Sequence, residues 1–286
     1  MTADLTSLHR FATIAGRSWD QVVVVDAAKD PVAALNVCRA RSSVLVRDAP
    51  VAELARGLAG WRRTLVVAED LGGPDEQLST VDPADAVVRP WRSADVICLA
   101  DNDFTTGVDG WALPDHRFAH RGDSMIANAE VRALVLARLA PRPGVLVWDI
   151  GAGPGAVGVE CARLGAAVVA VDRDPVQCVR IIANASAHGV DVRVEEAEFA
   201  DVLGDLPRPN AVYVGGGGPA VVAACAKVGA PRVVVAVPEL DRVVPARDAL
   251  RDAGYAVEGS LLSSARLVGG ALTATDPVTV LWGSST

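Results

Sequence analysis

Short apolar runs alternate with segments of helical spacing along the second half of the chain. The runs predict strands at 145–150, 166–172, 191–197, 210–218 and 231–239. Between and before them, the apolar spacing predicts helices at 127–141, 156–165, 175–189, 219–229 and 246–254. A regular alternation of strand and helix is typical of an α/β domain whose sheet is largely parallel.

The end of the chain breaks this alternation. The pattern predicts strands at 255–268 and 277–283, joined by residues 269–276 without a helix. Such a connection makes an antiparallel hairpin at the edge of the sheet. A dinucleotide-binding fold would more often continue with strand–helix units, so this tail favours the class I methyltransferase architecture, a Rossmann-like sheet with a C-terminal antiparallel hairpin.

The first part of the chain predicts a smaller α/β domain at residues 1–106. Its pattern predicts strands at 21–27, 42–48, 64–72 and 95–101 and helices at 31–40 and 50–61. The polar stretch 72–91 is assigned no element. Residues 107–128 are rich in glycine and aspartate and show no hydrophobic periodicity. We interpret them as a linker and lid that belong to the second domain, residues 107–286.

Residues 145–172 predict a strand, a glycine loop, a helix and a second strand. Gly151, Gly153 and Gly155 let the backbone turn sharply and approach a ligand closely, because no Cβ blocks the approach. Asp172 ends the second strand about 20 positions later, a spacing at which a carboxylate can accept the hydroxyls of a ribose. This unit therefore predicts a nucleotide-type cofactor, the alternative being a tight turn without a ligand.

The loop and its flanking residues bear on which cofactor is bound. The loop also fits the dinucleotide pattern G-x-G-x-x-G/A, so an NAD oxidoreductase is an alternative. Asp149, at the end of the first strand, could face the ammonium and sulfonium groups of S-adenosylmethionine but would repel a pyrophosphate. This residue and the antiparallel tail favour S-adenosylmethionine.

Composition narrows the class of substrate. The 286 residues are 51% hydrophobic and 22% charged, which is typical of a globular protein. A net charge of −8 and 4% aromatic residues argue against a nucleic-acid partner. We expect no membrane span and no secretory signal, because there is no long apolar run and no basic N-terminal segment. A small-molecule substrate is the prediction that remains.

The cysteines and histidines indicate a reduced protein without a metal site. The five cysteines are scattered through apolar segments, so we expect buried thiols and a cytoplasmic location. The four histidines lack the spacing of metal ligands.

Several motifs together resemble one family. LPDHRFAH, EVRALVLARLAPRPGVLVWDIGAGPGAVGVECARLGA, NAVYVGGGG and DPVTVLWG, between Leu113 and Gly283, resemble the C-terminal domain of the precorrin-6Y 5,15-methyltransferase (decarboxylating) family of cobalamin biosynthesis. The resemblance implies a class I fold that uses S-adenosylmethionine to methylate carbon 15 of the macrocycle and removes the carboxyl of the ring C acetate. It also implies a homo-oligomer, a tetramer in relatives.

The first hundred residues resemble part of the same family's other domain. EDLGGPDEQL is similar to a segment in the back half of the tetrapyrrole methylase domain that acts at carbon 5, and SLHRFATIAG resembles the helix in the middle of that domain. The front half, with its own glycine-rich motif, has no counterpart in this sequence. Because that fold binds its cofactor between two halves, we do not expect methylation at carbon 5. Either the start codon has been placed late, or this piece is a docking module for other enzymes of the pathway.

The motifs and the resemblance together indicate cofactor-binding residues. We expect the methionine part at Asp149 and at the backbone of Gly151, Ala152, Gly153, Pro154 and Gly155. Asp172 is expected at the ribose and Arg173 beside the adenine. Glu196 and Ala197 match the family position at the adenine edge, with Glu195 and Glu198 as alternatives to Glu196.

The substrate side is expected at the glycine run that follows the fourth strand, comprising Gly215, Gly216, Gly217 and Gly218. Backbone without side chains would let a flat macrocycle lie close to the sulfonium. Binding the substrate's carboxylates requires basic side chains at the entrance of the site. The candidates are Arg117, Arg121, Arg132, Arg242, Arg247, His116 and His120. Trp148 and Tyr213 are expected to pack in the core, and no residue is assigned to the loss of carbon dioxide.

Two further points stay open at this stage. Many relatives read Thr-Lys where this chain reads Ala127-Asn128, so a lysine that contacts substrate is missing here. The alternatives to a precorrin enzyme are a class I methyltransferase acting on another small molecule and a non-catalytic partner that binds cofactor and docks other enzymes.

Overall fold

The computed structural model describes residues 4–101, 110–120 and 126–285. The chain divides into two compact units, Met1–Thr106 and Gly107–Thr286. Each unit has its own sheet and its own buried apolar clusters.

The first unit is built on a mixed sheet with helices on both faces. Its strands are β1 (Val23–Asp26), β2 (Ser43–Arg47), β3 (Arg63–Glu69), β4 (Gln77–Val81) and β5 (Ala94–Ala100). Its helices are α1 (Leu5–Ile14), α2 (Pro31–Ala40), α3 (Val51–Gly57) and α4 (Pro83–Val88). The strand order is β1-β2-β5-β3-β4, in which β1 and β2 are parallel and the other neighbours are antiparallel.

Alternation along β2 shows how this sheet is covered. Leu45 belongs to the cluster that contains Phe11 of α1, whereas Val44 and Val46 belong to the cluster under α2 and α3. Successive side chains of a strand point to opposite faces, so a strand buried on both faces is apolar throughout.

Two elements of the first unit were not predicted. The stretch 72–91 contains β4 and α4, although its sequence is polar. β4 is an edge strand whose residues are exposed or half-buried, so its backbone pairing with β3, rather than an apolar pattern, makes it a strand. The segment SLHRFATIAG, by contrast, is helical as the resemblance implies.

The second unit is built on a larger sheet whose central strands are parallel. Its strands are β6 (Leu146–Ile150), β7 (Ala167–Asp172), β8 (Arg193–Glu196), β9 (Ala211–Val214), β10 (Arg232–Val237), β11 (Ala256–Leu262) and β14 (Val278–Ser284). Its helices are α5 (Ala129–Leu139), α6 (Ala156–Arg163), α7 (Pro175–Ala187), α8 (Phe199–Val202), α9 (Gly218–Lys227) and α10 (Leu240–Asp252). The strand order is β11-β14-β10-β9-β6-β7-β8.

The predicted start of α7 is confirmed in detail. Asp174 is its N-cap, and the side-chain oxygen accepts a hydrogen bond from Val176 N at 2.9 Å. Pro175 occupies the first helical position, where a missing N–H costs nothing. Asn128 caps α5 in the same way, because its side-chain oxygen accepts from Val131 N at 2.9 Å.

The tail of the chain differs from the prediction in one respect. The strand predicted at 255–268 is two strands, β11 and β12 (Ala265–Val268), and β12 pairs with β13 (Ala271–Ala274) in a separate hairpin. The chain leaves the main sheet after Leu262, and Ser264 O accepts from Thr275 N at 2.9 Å at the base of this hairpin. The predicted antiparallel edge is confirmed, with β14 between β10 and β11 and antiparallel to both.

Helix α10 begins earlier than predicted. It starts at Leu240 rather than at residue 246, and Pro245 lies inside it. In the part of the chain that the structure describes, none of the helices has the length and apolar character needed to cross a membrane.

Candidate functional site

The parallel strands bring four of the predicted segments to one edge of the sheet. β6 lies between β9 and β7, and β8 follows β7. At their carboxyl ends, β6 leads into the glycine loop and β9 into the glycine run. Asp172 and Glu196 are the last residues of β7 and β8. Ligands of open α/β sheets bind at this edge, so segments far apart in sequence form one candidate site.

The glycine loop and the glycine run touch each other. Gly151, Gly153 and Gly155 have φ values of 64°, 56° and 78°, the left-handed conformation that favours glycine. A Cβ placed on Gly151 would lie 2.8 Å from both Cα and N of Gly216. Gly215 N also donates to Ile150 O at 2.9 Å. The close backbone approach explains why glycine is needed at position 151.

Asp172 is fixed to the glycine loop by both of its carboxylate oxygens. Oδ2 accepts from Gly153 N at 2.8 Å, and Oδ1 accepts from Asp174 N at 2.9 Å. Each carboxylate oxygen can accept more than one hydrogen bond. The side chain is therefore held in place with acceptor capacity left for the hydroxyls of a ribose.

The structure distinguishes the three neighbouring glutamates. Glu195 accepts from Arg193 Nε at 2.6 Å, and Glu198 accepts from Arg173 Nη1 at 3.1 Å. Glu196 is exposed and in register with Asp172 on the neighbouring strand, and Ala197 N donates to Asp172 O at 3.1 Å. These pairings favour Glu196 over both alternatives, whereas Arg173 sits in an exposed ion pair beside the site.

Asp149 is completely buried beneath the start of α6. Its Oδ2 accepts from Gly158 N at 2.8 Å, and Oδ1 has no hydrogen-bond partner among the described residues. The pKa of this carboxyl is raised to about 7, because burial and, to a smaller extent, the charge of Asp172 raise it more than the hydrogen bond from Gly158 N lowers it. The carboxyl thus lies under the loop, and its contact with the cofactor stays a prediction.

The acidic character of this edge favours S-adenosylmethionine over a dinucleotide. Asp172 and Glu196 end β7 and β8 here, and carboxylates favour a cation and hydroxyl donors but repel a pyrophosphate. The backbone cradle at Gly151 and the free acceptor capacity of Asp172 fit the methionine and ribose parts of S-adenosylmethionine.

The glycine run lines an open cleft at the ends of β9 and β10. Its lining includes Gly215, Gly216 and Gly218, but Gly217 is not part of it and instead caps α9. The walls are mostly apolar, and they comprise Val214, Pro219, Val222, Val235, Ala236, Val237, Pro238 and Ala246. Glu239 and Arg242 complete the lining and form an ion pair of 3.4 Å.

Of the predicted basic residues that the structure describes, Arg242 is the one that lines this cleft. Arg247 pairs with Asp248. His116 and Arg117 are exposed, and His120 Nδ1 lies 2.8 Å from Phe118 O. Arg121 lies outside the described residues.

Arg132 was wrongly predicted to contact substrate. Its side chain is fully buried, bonds Glu160 and Asp115 at 2.8 Å each, and also donates to the carbonyls of Leu113 and Ala127. A guanidinium with all these partners is a structural cross-link. Trp148 and Tyr213 are buried, which confirms their predicted packing in the core.

Two buried polar residues near the site were missed by the sequence analysis. Glu160 on α6 and Asn184 on α7 each bond the backbone of the segment 110–120. A polar residue on the inner face of an otherwise apolar helix is the signal that could have identified them.

Comparison with known proteins shows the family of this chain. Residues 117–280 match the family model described as the precorrin methyltransferase domain, which is more than half of the chain. The chain belongs to the precorrin methyltransferase domain family. The matched range falls within the second unit, which contains the whole candidate site.

Individual relatives are consistent with the family. The precorrin-6Y C(5,15)-methyltransferase [decarboxylating] of Sinorhizobium sp is 35% identical over 174 residues, 59% of this chain and 42% of the relative. A probable cobalt-precorrin-6B C(15)-methyltransferase (decarboxylating) of Pyrobaculum calidifontis is 33% identical over 163 residues, 54% of this chain and 84% of the relative. The chain thus matches about two fifths of the length of the former protein and most of the latter.

The fold prediction for the second unit is confirmed by a solved structure. A crystal structure of precorrin-6Y C5,15-methyltransferase from Geobacter metallireducens GS-15 has a TM-score of 0.56 and 28% identity, covering 62% of this chain and 97% of that one. The precorrin methyltransferase domain of this chain is therefore a class I methyltransferase fold with an antiparallel edge.

Proposed function

We propose that this chain is an S-adenosylmethionine-dependent C-methyltransferase of cobalamin biosynthesis. In this proposal it methylates carbon 15 of precorrin-6Y and removes the carboxyl of the ring C acetate. The observation that carries the proposal is the contact between Gly151 and Gly216, which joins the cofactor loop to an apolar cleft. The proposal is limited to carbon 15, the position in the name of the Pyrobaculum relative, most of whose length this chain matches.

The cofactor roles follow from the acidic edge. When bound, S-adenosylmethionine supplies an electrophilic methyl group. The backbone of Gly151–Gly155 and the buried Asp149 would hold its methionine part, and Asp172 would accept the ribose hydroxyls. Glu196 and Ala197 would meet the adenine edge, with Arg173 beside it.

The apolar cleft would hold the flat macrocycle next to the methyl donor. Holding two reactants in line can supply roughly 7–11 kcal/mol of the barrier reduction, so positioning alone accounts for much of the catalysis. Apolar walls from β9 and β10 disfavour a carboxylate in the cleft, which would assist the loss of carbon dioxide. Arg242 is half-exposed and only loosely paired with Glu239, so it can exchange that partner for a substrate carboxylate.

A titration followed by turnover tests the proposal. We expect S-adenosylhomocysteine to bind and NADH not to bind in calorimetry. Incubation with precorrin-6Y and S-adenosylmethionine should then give a product, detected by mass, with one methyl gained and one carbon dioxide lost. Turnover of other acceptors only would indicate a different methyltransferase, and cofactor binding without turnover would indicate a non-catalytic partner.

We also propose that the protein is a homo-oligomer, as its resemblance to the family implies. The support is an apolar surface on β11, β12 and β13, where Leu261, Leu267, Val268 and Leu272 are all exposed. Exposed apolar patches of this kind mark interaction sites. Light scattering should give a mass above that of one chain, and Leu267→Glu should lower it, whereas a monomeric wild type would contradict the proposal.

For the first unit we propose a docking role toward other enzymes of the pathway, in the cytoplasm. The two segments that carry its resemblance lie together, because Arg10 of α1 pairs with Glu76 in the loop after β3. All five cysteines of the chain are free and buried, as expected in a reducing compartment. Removal of this unit tests whether cofactor binding by the second unit depends on it.

A further inference from the structure

Asn184 has no role in the site as proposed above, yet it contacts the glycine loop. Its side chain on α7 is only 2% exposed. The amide Nδ2 donates to Pro154 O, inside the glycine loop, at 2.8 Å. The same amide group also holds a residue of the segment that precedes α5, so one side chain connects two parts of the molecule.

The second contact is a reciprocal pair with Ala119. Oδ1 of Asn184 accepts from Ala119 N at 2.7 Å, and Nδ2 donates to Ala119 O at 3.2 Å. Asparagine is suited to this position because it offers two donors and an acceptor on one short side chain. Aspartate would lose both donors and place a carboxylate oxygen against two carbonyl oxygens.

Two further residues, Ile181 on α7 and its C-cap His188, contact the same two segments. Ile181, one turn earlier, packs on the loop so closely that a Cβ on Gly155 would lie 2.9 Å from its Cγ1. His188, one turn later, has Nε2 3.0 Å from Arg117 O and its ring 4.8 Å from that of Phe118. One face of the helix thus contacts the glycine loop at one end and the segment 117–120 at the other.

We propose that Asn184 is a positioning residue that couples cofactor binding on the glycine loop to the placement of the segment 117–120. The inference rests on the proposed function, because it requires that the loop binds the cofactor. A cofactor that fixes the loop also fixes Pro154 O, and this strengthens the hold of Asn184 on Ala119. Coupling of this kind is reciprocal, so loosening the segment weakens cofactor binding by the same factor.

Hydrogen exchange with and without S-adenosylhomocysteine tests the coupling on the full chain. In the wild type, the ligand should slow exchange both in the loop 151–155 and at residues 117–120. In Asn184→Ala and Asn184→Asp, it should still slow the loop but no longer the segment, and its Kd should rise about tenfold, as expected for lost hydrogen bonds. Ser186→Ala, exposed on the same helix, is the matched control and should behave as the wild type.

The outcomes separate this inference from the proposed function. If S-adenosylhomocysteine does not bind the wild type at all, the proposed function fails. If it binds and slows the loop while exchange at 117–120 is unchanged, the coupling is wrong, and this result needs no variant. Retention of full affinity and of ligand-dependent protection at 117–120 in a folded Asn184→Ala would overturn it equally.

Discussion

At Gly151 the backbone of the glycine loop has no room for a side chain. The residue has a positive φ, and an added Cβ would overlap the backbone of Gly216. Backbone cannot move aside as the end of a flexible side chain can. The space at this single position therefore determines whether the glycine loop and the glycine run can meet.

Gly151→Ala tests this point. We expect a loss of about 1–3 kcal/mol in the free energy of unfolding, from the strained φ and the overlap, with at least about tenfold weaker binding of S-adenosylhomocysteine. Urea unfolding and calorimetry measure the two effects. Gly204→Ala is the control, because a Cβ there meets nothing within 4 Å, and it should change neither quantity.

Asp149 predicts a pH dependence of stability. The folded state keeps its proton up to about pH 7, whereas the unfolded chain releases it near the ordinary pKa of about 4. The folded state binds more protons between these values, so the contribution of Asp149 to stability falls as pH rises through this window and is constant above it. The fall is on the order of 2–4 kcal/mol.

Asp149→Asn removes this titration and keeps an acceptor for Gly158 N. In urea unfolding, the variant should gain stability relative to the wild type on going from pH 5 to pH 8. Asp201→Asn, at an exposed position, should follow the wild type at both pH values. A constant difference between wild type and Asp149→Asn would show that the carboxyl is ionised throughout.

At the scale of the elements, an ionic network fastens the segment 110–120 to its helices. Arg132 of α5 bonds Asp115, and Glu160 of α6 accepts from Leu113 N at 3.2 Å. Arg266 of β12 reaches the same Asp115 at 2.7 Å, and also pairs with Glu130 at the start of α5. The two guanidinium groups favour the charged form of Asp115 and lower its pKa, although its partial burial opposes this. One carboxylate thus joins a loop, a helix and a hairpin.

Arg132→Ala should break this network. It leaves Glu160 buried without its cationic partner, which typically costs about 3–5 kcal/mol. Thermal unfolding of the variant and of Arg142→Ala, whose side chain is exposed, measures the difference, and the control should stay within about 0.5 kcal/mol. A double variant, Arg132→Met with Glu160→Gln, should recover part of the loss, because it leaves no unpaired buried charge.

At the scale of the whole molecule, the two units have separate cores. One buried apolar cluster of the second unit runs from Phe118 to Val280, and two clusters of the first unit lie between Leu8 and Cys98. The candidate site and the family match both fall in the second unit. The site therefore has its structural support within that unit.

Residues 107–286 expressed alone should fold and bind S-adenosylhomocysteine with the Kd of the full chain. The reason is that every described residue of the proposed site packs within this unit. Circular dichroism and calorimetry provide the measurement, with Gly151→Ala in the same truncated chain as the negative control. A folded fragment with weakened binding would show that the first unit contributes to the site.

Local chemistry made much of the second unit predictable. The spacing of Gly151, Gly153, Gly155 and Asp172 indicated the loop and its carboxylate before any coordinates, because positive φ and strand ends have strong local signatures. The edge strand β4 and the start of α10 were missed, since backbone pairing and tertiary packing override a polar sequence or an internal proline. The same limit explains the wrong prediction for Arg132, because the residues next to it in the sequence do not indicate that its side chain is buried.

The sequence by itself determined the alternating strands and helices, the glycine loop, the acidic strand end and the family. These features depend on period, backbone freedom and residue type, all of which are local. Only the tertiary structure decided that Gly151 meets Gly216, that Glu196 rather than its neighbours stands beside Asp172, and that Asn184 joins the loop to Ala119. These are contacts between segments far apart in the chain, and strand order and packing, which no local pattern encodes, bring them together.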